Sequence, residues 1–404
     1  MKPTVAVFFG GQSVEHEVSV ISANQAMHAI DKEAYDVVPV YITKQGTFYS
    51  GVALFNIANY INEEDLLKQL VEVCFVRAED GVYMEKTRGL FGRRIRKIDV
   101  AVPVVHGTNV EDGTLQGYLE LLGLPYSGCD IASSALGMDK AVMKTVLKEA
   151  GVAVLVCRCF YKEDFYKDSG AVVADLEQNI AYPMIVKPYN TGSSIGIRVA
   201  EDRDALIECI EYAADFAERI LVEHAIEHLR EINCSVLGDH SSAKASILEE
   251  PVSSGEILSY EDKYMSGGKG GKGTKGAKVG NAKQGMASSD RKLPADLSDE
   301  KTEEIKAMAL MTFRALGCSG VSRIDFLMDT DDNDKVYVNE INTIPGSLSF
   351  YLWEASGVSF SELMDTLIRL ALKRKREREL LHFSFDSNIL KNFGKTGLKG
   401  SKGK

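Results

Sequence analysis

The sequence predicts an α/β protein of several domains, and three observations predict it. Apolar runs, TVAVFF (4–9), YDVVPVYI (35–42) and IDVAVPVVHG (98–107), alternate with helical patterns, as in parallel strands buried on both faces. A stretch near the C-terminus, VSRIDFLMDTDDNDKVYVNEINTIPG (321–346), reads as two strands joined by an acidic turn from Asp329 to Asp334. The length of 404 residues exceeds what one core usually holds, so two or three domains are expected.

Composition narrows the classes. Hydrophobic content of 45% and charged content of 26% are those of a soluble globular chain. A net charge of −11 argues against non-specific nucleic-acid binding. Seven cysteines, an odd number scattered through apolar runs, read as reduced thiols of a cytoplasmic protein. Cys157 and Cys159 stand too close in a strand-like run for a metal pair. The N-terminus enters a strand within a few residues, and no apolar run approaches the ~20 residues of a bilayer span, so neither signal peptide nor membrane segment is expected.

The first strand runs into Gly10-Gly11 and a helical segment, SVEHEVSVISANQAMHAI. Strand, glycine turn and helix N-terminus place a ligand at the carboxyl end of a sheet. Glu15, His16 and Glu17 sit at that turn, where Glu15 serves either a ligand's amino group or the helix dipole. The run 98–107 ends in His106-Gly107 at a strand's carboxyl end. An acidic turn, Glu111-Asp112-Gly113, and a helix closed by Gly123 follow. Residues 1–128 therefore read as an open parallel sheet with helices, while 51–97 is too weakly patterned to assign.

Next, MDKAVMKTVLKEAG is an amphipathic helix with Met143, Val146, Leu147 and Ala150 on one face. Lys140 lies at its start, where a cation gains nothing from the dipole, which points to an anionic partner elsewhere. In YPMIVKPYNTGSSIGIRVA (182–200), two strands flank a glycine- and serine-rich turn that can offer N–H groups, hydroxyls and Lys187 to phosphate oxygens. It lacks the Walker A spacing and runs into a strand. RILVEHAI (219–226) carries Glu223 at a strand end, and Glu231 follows.

The stretch 259–285 is dense in glycine and lysine and too poor in apolar residues to order itself by burial, so it reads as a mobile lid over a polyanion. Ser298 caps a helix whose buried stripe is Ile305, Met308, Ala309, Thr312 and Leu316. After the hairpin come a last helix, FSELMDTLIRLALKRKRERE, and a basic, glycine-rich tail, 381–404, that reads as disordered. Within the hairpin, Arg323 and Asp325 share one face, and period-2 counting puts Val336, Val338, Glu340 and Asn342 on one face of the second strand. Carboxylates and an amide gathered there suit a hard divalent cation, magnesium above all.

Six segments, FFGGQSVEHEVSVISA, HGTNVEDGTLQGYLELLGLPYSG, MDK, IVKPYNTGSSIGI, SRIDF and VNEINTIPG, occur in the order found in D-alanine–D-alanine ligases of the ATP-grasp superfamily, which the chain resembles over roughly residues 4–375. The resemblance implies an ATP-grasp fold behind a Rossmann-like N-terminal domain. Its parts are a substrate domain at 1–128, a small central domain at 129–223, and a C-terminal domain at 224–380 with its lid at 263–286.

The resemblance also implies ATP held by Lys140, Lys187, Ser194, Glu223, His224, Ile226, Glu231 and Lys263, with His224 contributing through its main chain. Asp325, Glu340 and Asn342 would hold two magnesium ions, with manganese as a substitute. Glu15, linked through Ser193 to Tyr264, would bind the first D-alanine's ammonium, and Arg323 with the Gly346 N–H would stabilise the oxyanion. His106, Tyr351 and Leu352 complete the implied substrate site. A homodimer in the bacterial cytoplasm, supplying peptidoglycan precursor, is the implied setting.

The chain departs from the family after Gly346. Relatives carry Ser-His-Ser-Leu-like residues there, the second serine helping to hold the second substrate's carboxylate. Here Phe350 and Tyr351 take the His-Ser positions, so the Tyr351 hydroxyl is the candidate replacement. The alternative to D-alanine as second substrate is D-serine or another amino acid.

Overall fold

The computed structural model describes residues 2–89, 94–190, 196–251 and 291–383. Seven strands build the first sheet: β1 (Thr4–Gly10), β2 (Asp36–Ile42), β3 (Phe48–Ser50), β4 (Val71–Ala78), β5 (Gly81–Lys86), β6 (Arg94–Ile98) and β7 (Val100–Pro103). Their order is β6-β5-β4-β3-β2-β1-β7. All seven residues of β1 are buried, as its unbroken apolar run requires, and both of its neighbours pair with it in parallel.

Beyond β2 the sheet is antiparallel, not parallel as expected. The reason is connection length: β2–β3 and β4–β5 are joined by a few residues, whereas a parallel crossover needs about a dozen or more. The apolar run 98–107 is also split. Asp99 separates β6 from β7, and its carboxylate accepts the Thr4 N–H at 2.7 Å.

The second sheet, order β10-β9-β11-β8, contains β8 (Cys157–Tyr161), β9 (Met184–Pro188), β10 (Arg198–Ala200) and β11 (Arg219–His224). The third comprises β12 (Leu229–Gly238), β13 (Ala243–Pro251), β14 (Arg291–Lys292), β15 (Gly320–Asp329) and β16 (Lys335–Asn342), ordered β14-β13-β12-β15-β16. The acidic turn between β15 and β16 is where the sequence put it, with Asn333 and Asp334 at positive φ of 54° and 55°. Short polar side chains tolerate that conformation best.

Each sheet has its own core. The last helix, Phe360–Glu379, closes the first core with Leu363, Leu367 and Ile368, and the third core takes in Ile324, Phe326, Val336, Val338 and Ile341. The helix Lys140–Glu149 buries Met143 and Leu147 in that third core, worth roughly 2 kcal/mol each. Ala150, expected in its stripe, is exposed because the helix has ended by then. The helix Asp299–Ala315 is capped by Ser298, which accepts the Lys301 N–H, and Phe313 joins the expected stripe while Met308 is only half-buried. All seven cysteines are free thiols. Among the described residues no helix is long and apolar enough to cross a membrane.

Candidate functional site

Three strands of the third sheet turn a polar face away from its core. Ile232 and Cys234 of β12 and Ile324, Phe326 and Met328 of β15 point inward. Side chains alternate along a strand, so Glu231, Asn233 and Ser235 on β12 and Arg323 and Asp325 on β15 point the other way. On β16 the pairing shifts register between Asp325 and Phe326, which face Glu340 and Val338 respectively, leaving Asn339 as an extra residue. Strict period-2 counting through Val336 and Val338 would send Glu340 inward. The bulge inverts the phase: Val336, Val338 and Ile341 are buried in the core while Glu340 and Asn342 stand outside. The expected shared face for all four residues of β16 is thus corrected, and Glu340 and Asn342 come to lie opposite Asp325 and Arg323.

On this face Arg323 donates to both Asp325 oxygens at 2.6 and 2.7 Å, and Asn342 Nδ2 donates to Asp325 Oδ2 at 3.1 Å. Lys140 Nζ lies 3.2 Å from Glu340 Oε2, so the anionic partner inferred for this lysine is on the hairpin. Beside it, Glu223 is fully buried between two ammonium groups, with Lys187 3.2 Å from Oε1 and Lys144 3.2 Å from Oε2. Burial alone would raise the Glu223 pKa, but Lys144 and Lys187 outweigh it and hold the carboxyl below its usual range. Burial depresses the Lys187 ammonium, against the pull of Glu223. Lys187 also reaches the bulge residue Asn339 at 3.4 Å. Lys144 went unnoticed in the sequence; its signal was its place one turn after Lys140, on the same side of the helix.

Residues at the end of β11 and beyond it are less central. His224 Nδ1 contacts the Ala181 carbonyl at 3.1 Å, and Ile226 and Glu231 are half-buried. Among the described residues no three His, Cys, Asp or Glu cluster tightly enough to hold a metal ion alone. Two carboxylates, each already facing a cation, and an amide beside them form a hard oxygen set that suits magnesium when a substrate supplies the remaining oxygens.

A second cluster sits at the carboxyl ends of β1 and β7. Glu15 and His106 are both buried, whereas His16 braces Gly11 and Tyr41 and Glu17 pairs with Lys44 on the surface. Gly107, at φ +82°, lets Glu15 approach: a Cβ there would lie 2.8 Å from Glu15 Oε2 and 2.3 Å from Ser13 Oγ. His106 contacts the Ile344 carbonyl through Nδ1 at 2.8 Å and Ser22 Oγ through Nε2 at 2.9 Å. A carbonyl only accepts, so Nδ1 carries the proton. Burial lowers the His106 pKa, against the pull of Glu15, and the ring is neutral. Both its nitrogens serve protein contacts, tying the first sheet to the segment after β16.

Glu111, read from sequence only as part of an acidic turn, is the clasp of this junction. It accepts the N–H groups of Gly107 at 3.0 Å and Ile344 at 2.8 Å, and the Thr343 hydroxyl at 3.3 Å. Burial pushes its pKa up to about 8, those hydrogen bonds opposing and the nearby Glu15 charge adding to the rise.

From Gly346 the chain makes a turn with Ser347, Leu348 and Ser349 all at φ of 51–53°, and the Ser347 N–H donates to Ser22 Oγ at 2.9 Å. Three successive left-handed residues outside glycine are costly, of order 1 kcal/mol each or more. The turn delivers the helix Phe350–Ala355 onto the polar face, where the Trp353 indole donates to Ser235 Oγ at 2.9 Å. Leu352 is fully buried, and the Tyr351 hydroxyl donates to Glu249 at 2.8 Å. Ser193, Ser194, Lys263, Tyr264, the glycine- and lysine-rich stretch and the tail from 384 onward lie outside the described residues.

With this geometry in place, comparison with known proteins decides the family. The family described as D-ala D-ala ligase N-terminus matches residues 4–129, and its C-terminal counterpart matches residues 146–369. The chain belongs to the D-alanine–D-alanine ligase family. A D-alanine–D-alanine ligase of Thermosipho melanesiensis is 38% identical over 389 residues, covering 96% of this chain and 98% of that protein. One from Chloroherpeton thalassium is 39% identical over 385 residues, covering 94% and 99%. Among solved structures, the D-alanine–D-alanine ligase of Coxiella burnetii matches with a TM-score of 0.75 at 28% identity, covering 98% of this chain and 99% of that one. The VanG D-Ala:D-Ser ligase of Enterococcus faecalis matches with a TM-score of 0.73 at 31% identity, covering 92% and 100%. The family's ATP-grasp architecture accounts for two sheets, the second and third, meeting across Lys187, Glu223 and the hairpin.

Proposed function

We propose that this protein joins two D-alanine molecules into D-alanyl-D-alanine at the expense of ATP, through an acyl phosphate. The observation that carries the reading is the shared face of β15 and β16. It sets Arg323, Asp325, Glu340 and Asn342 side by side, with Lys140, Lys144, Lys187 and Glu223 adjoining in one chain of charges.

Phosphoryl transfer needs cations around the phosphates and an in-line nucleophile more than it needs covalent help from the protein. Lys140 and Lys187 are the cations for the phosphates, and Glu223, with the main chain around His224 and Ile226, faces the base. Glu231, on the same face of β12, takes the ribose. Asp325, Glu340 and Asn342 would hold two magnesium ions, or manganese in their place, which would neutralise charge on the transferring phosphoryl group. Glu15 binds the ammonium of the first D-alanine; His106 and Glu111 hold the backbone around it. Arg323 and the Gly346 N–H stabilise the oxyanion when the second amine attacks the acyl carbonyl. The family resemblance gives Ser193 and Tyr264 a role with Glu15 and gives Ser194 and Lys263 a role with the phosphates; all four lie outside the described residues. A homodimer in the cytoplasm, feeding peptidoglycan synthesis, is the setting that fits.

The test is phosphate release from Mg-ATP with D-alanine alone, then with D-serine, D-lactate or L-alanine added, and products identified by mass. Dipeptide from D-alanine alone is the expected result. Release that requires D-serine moves the assignment to the sister ligase, and no amino-acid-dependent release in any arm overturns it.

A further inference from the structure

Glu249 is not among the residues implied by the family resemblance, yet it lies in the same cross-strand row as the candidate metal ligands. Glu249 pairs with Asn233, Asn233 with Asp325, and Asp325 with Glu340, so four polar residues cross the sheet from β13 to β16 in one line. Glu249 is almost wholly buried and carries three donors: Asn233 Nδ2 at 2.9 Å and Tyr351 Oη at 2.8 Å on Oε1, and Arg291 Nη1 at 2.7 Å on Oε2. The Arg291 guanidinium also lies over the Tyr351 ring, 4.2 Å from its centroid.

This arrangement decides what Tyr351 can do. Its single hydroxyl proton is given to Glu249, and burial with the Glu249 charge raises the phenol's pKa, so the proton stays. A phenol so committed presents only lone pairs and cannot also donate to a carboxylate of the second substrate. The serine function seen in relatives therefore has no donor in Tyr351. What stands at this place is the guanidinium stacked on the ring, a planar group with five N–H donors and a geometry matched to carboxylates.

Resting on the ligase reading above, we propose that Arg291 recognises the carboxylate of the second substrate. Glu249 is the positioning residue that fixes Arg291 and Tyr351 against each other. Tyr351 then serves as the flat support of the guanidinium and not as a ligand.

The experiment uses the full-length enzyme, varying D-alanine at saturating ATP to resolve the two D-alanine KM values and varying ATP at saturating D-alanine. It adds a competition between D-alanine and D-alaninamide, which lacks the carboxylate, as acceptors, read by product mass. Arg291→Met should raise the acceptor KM about tenfold or more, as for loss of a charge-assisted pair. It should leave the first-site and ATP KM values within about twofold and lower the preference for D-alanine over D-alaninamide by a similar tenfold. Arg291→Lys should restore part of that preference, Glu249→Gln should lower it less than Arg291→Met, and Tyr351→Phe should keep it within about threefold. An unchanged preference in Arg291→Met at wild-type Tm overturns the proposal, and so does a Tyr351→Phe loss as large as that of Arg291→Met. Should Arg291→Met not fold, Glu249→Gln decides: a native acceptor preference in it overturns the assignment. A wild-type enzyme that makes no dipeptide fails the ligase reading, a result visible before any variant is made.

Discussion

The molecule handles buried ionisable groups in two opposite ways. On the polar face of the third sheet and beside it, charge is met by opposite charge: Arg323 by Asp325, Lys140 by Glu340, and Glu223 of the second sheet by two lysines. At the junction of β1, β7 and the segment after β16, Glu111 and His106 are buried with backbone and hydroxyl partners. In the first arrangement Lys144 and Lys187 hold the Glu223 carboxyl below its usual range; in the second, burial lowers His106 and raises Glu111. In the proposed reaction the first region is the one that meets the polyanion, and its charges are paired with one another until it does. A region built to hold two sheets together does better without net charge.

The comparison breaks most sharply at Glu340. Glu340→Gln should lower kcat by roughly a hundredfold or more while leaving thermal unfolding close to wild type, because the residue is partly exposed and the fold does not depend on it. Near-normal phosphate release would remove Glu340 from the reaction. Lys144→Met comes next. It leaves Glu223 with one cation and should raise the apparent KM for ATP by about tenfold, with a Tm lower by several degrees. An unchanged KM with a lowered Tm would make Lys144 a purely structural ion.

The junction makes a different prediction, in pH. The Glu111 carboxyl has its folded pKa raised from 4.5 to about 8, so the folded state binds the extra proton in that window. Its contribution to stability is fully present below about 4.5 and is lost as pH rises through about 8. Glu111→Gln should flatten that decline in urea titrations, and an identical slope in both proteins would refute the raised pKa. Smallest of all, Lys44→Ala removes an exposed pair with Glu17 and should change stability by no more than about 0.5 kcal/mol.

Much of the architecture was legible because it rests on patterns with a strong period. The unbroken apolar run of β1, the acidic hairpin turn and the Ser298-capped helix each follow from local chemistry, and each is found where the sequence puts it. The antiparallel half of the first sheet was not legible. Its strands are half-exposed and mixed in polarity, and only the brief β2–β3 and β4–β5 connections betray any of the pairing.

Within the candidate site, the residues read from sequence stood at strand ends, at a helix start, in glycine turns and on the acidic hairpin. Those missed were polar residues hidden in apolar company: Lys144 on an amphipathic helix, Glu249 inside a strand, and Glu111 disguised as a turn acid. Nothing local separates a buried lysine in a helix from a solvated one, because the difference is made by Glu223, 79 residues away.

Alternation gives a strand one side chain per face for every two residues, about 7 Å of its length. Around Asn339 that rule is relaxed, and Asn339, Glu340 and Asn342 offer three polar groups within four residues of β16. Deleting Asn339 would leave Glu340 and Asn342 pointing as they do, now at ordinary spacing and without the amide that meets Lys187. A pleated surface can therefore gather oxygen and nitrogen atoms more densely than its own geometry allows by falling one residue out of step.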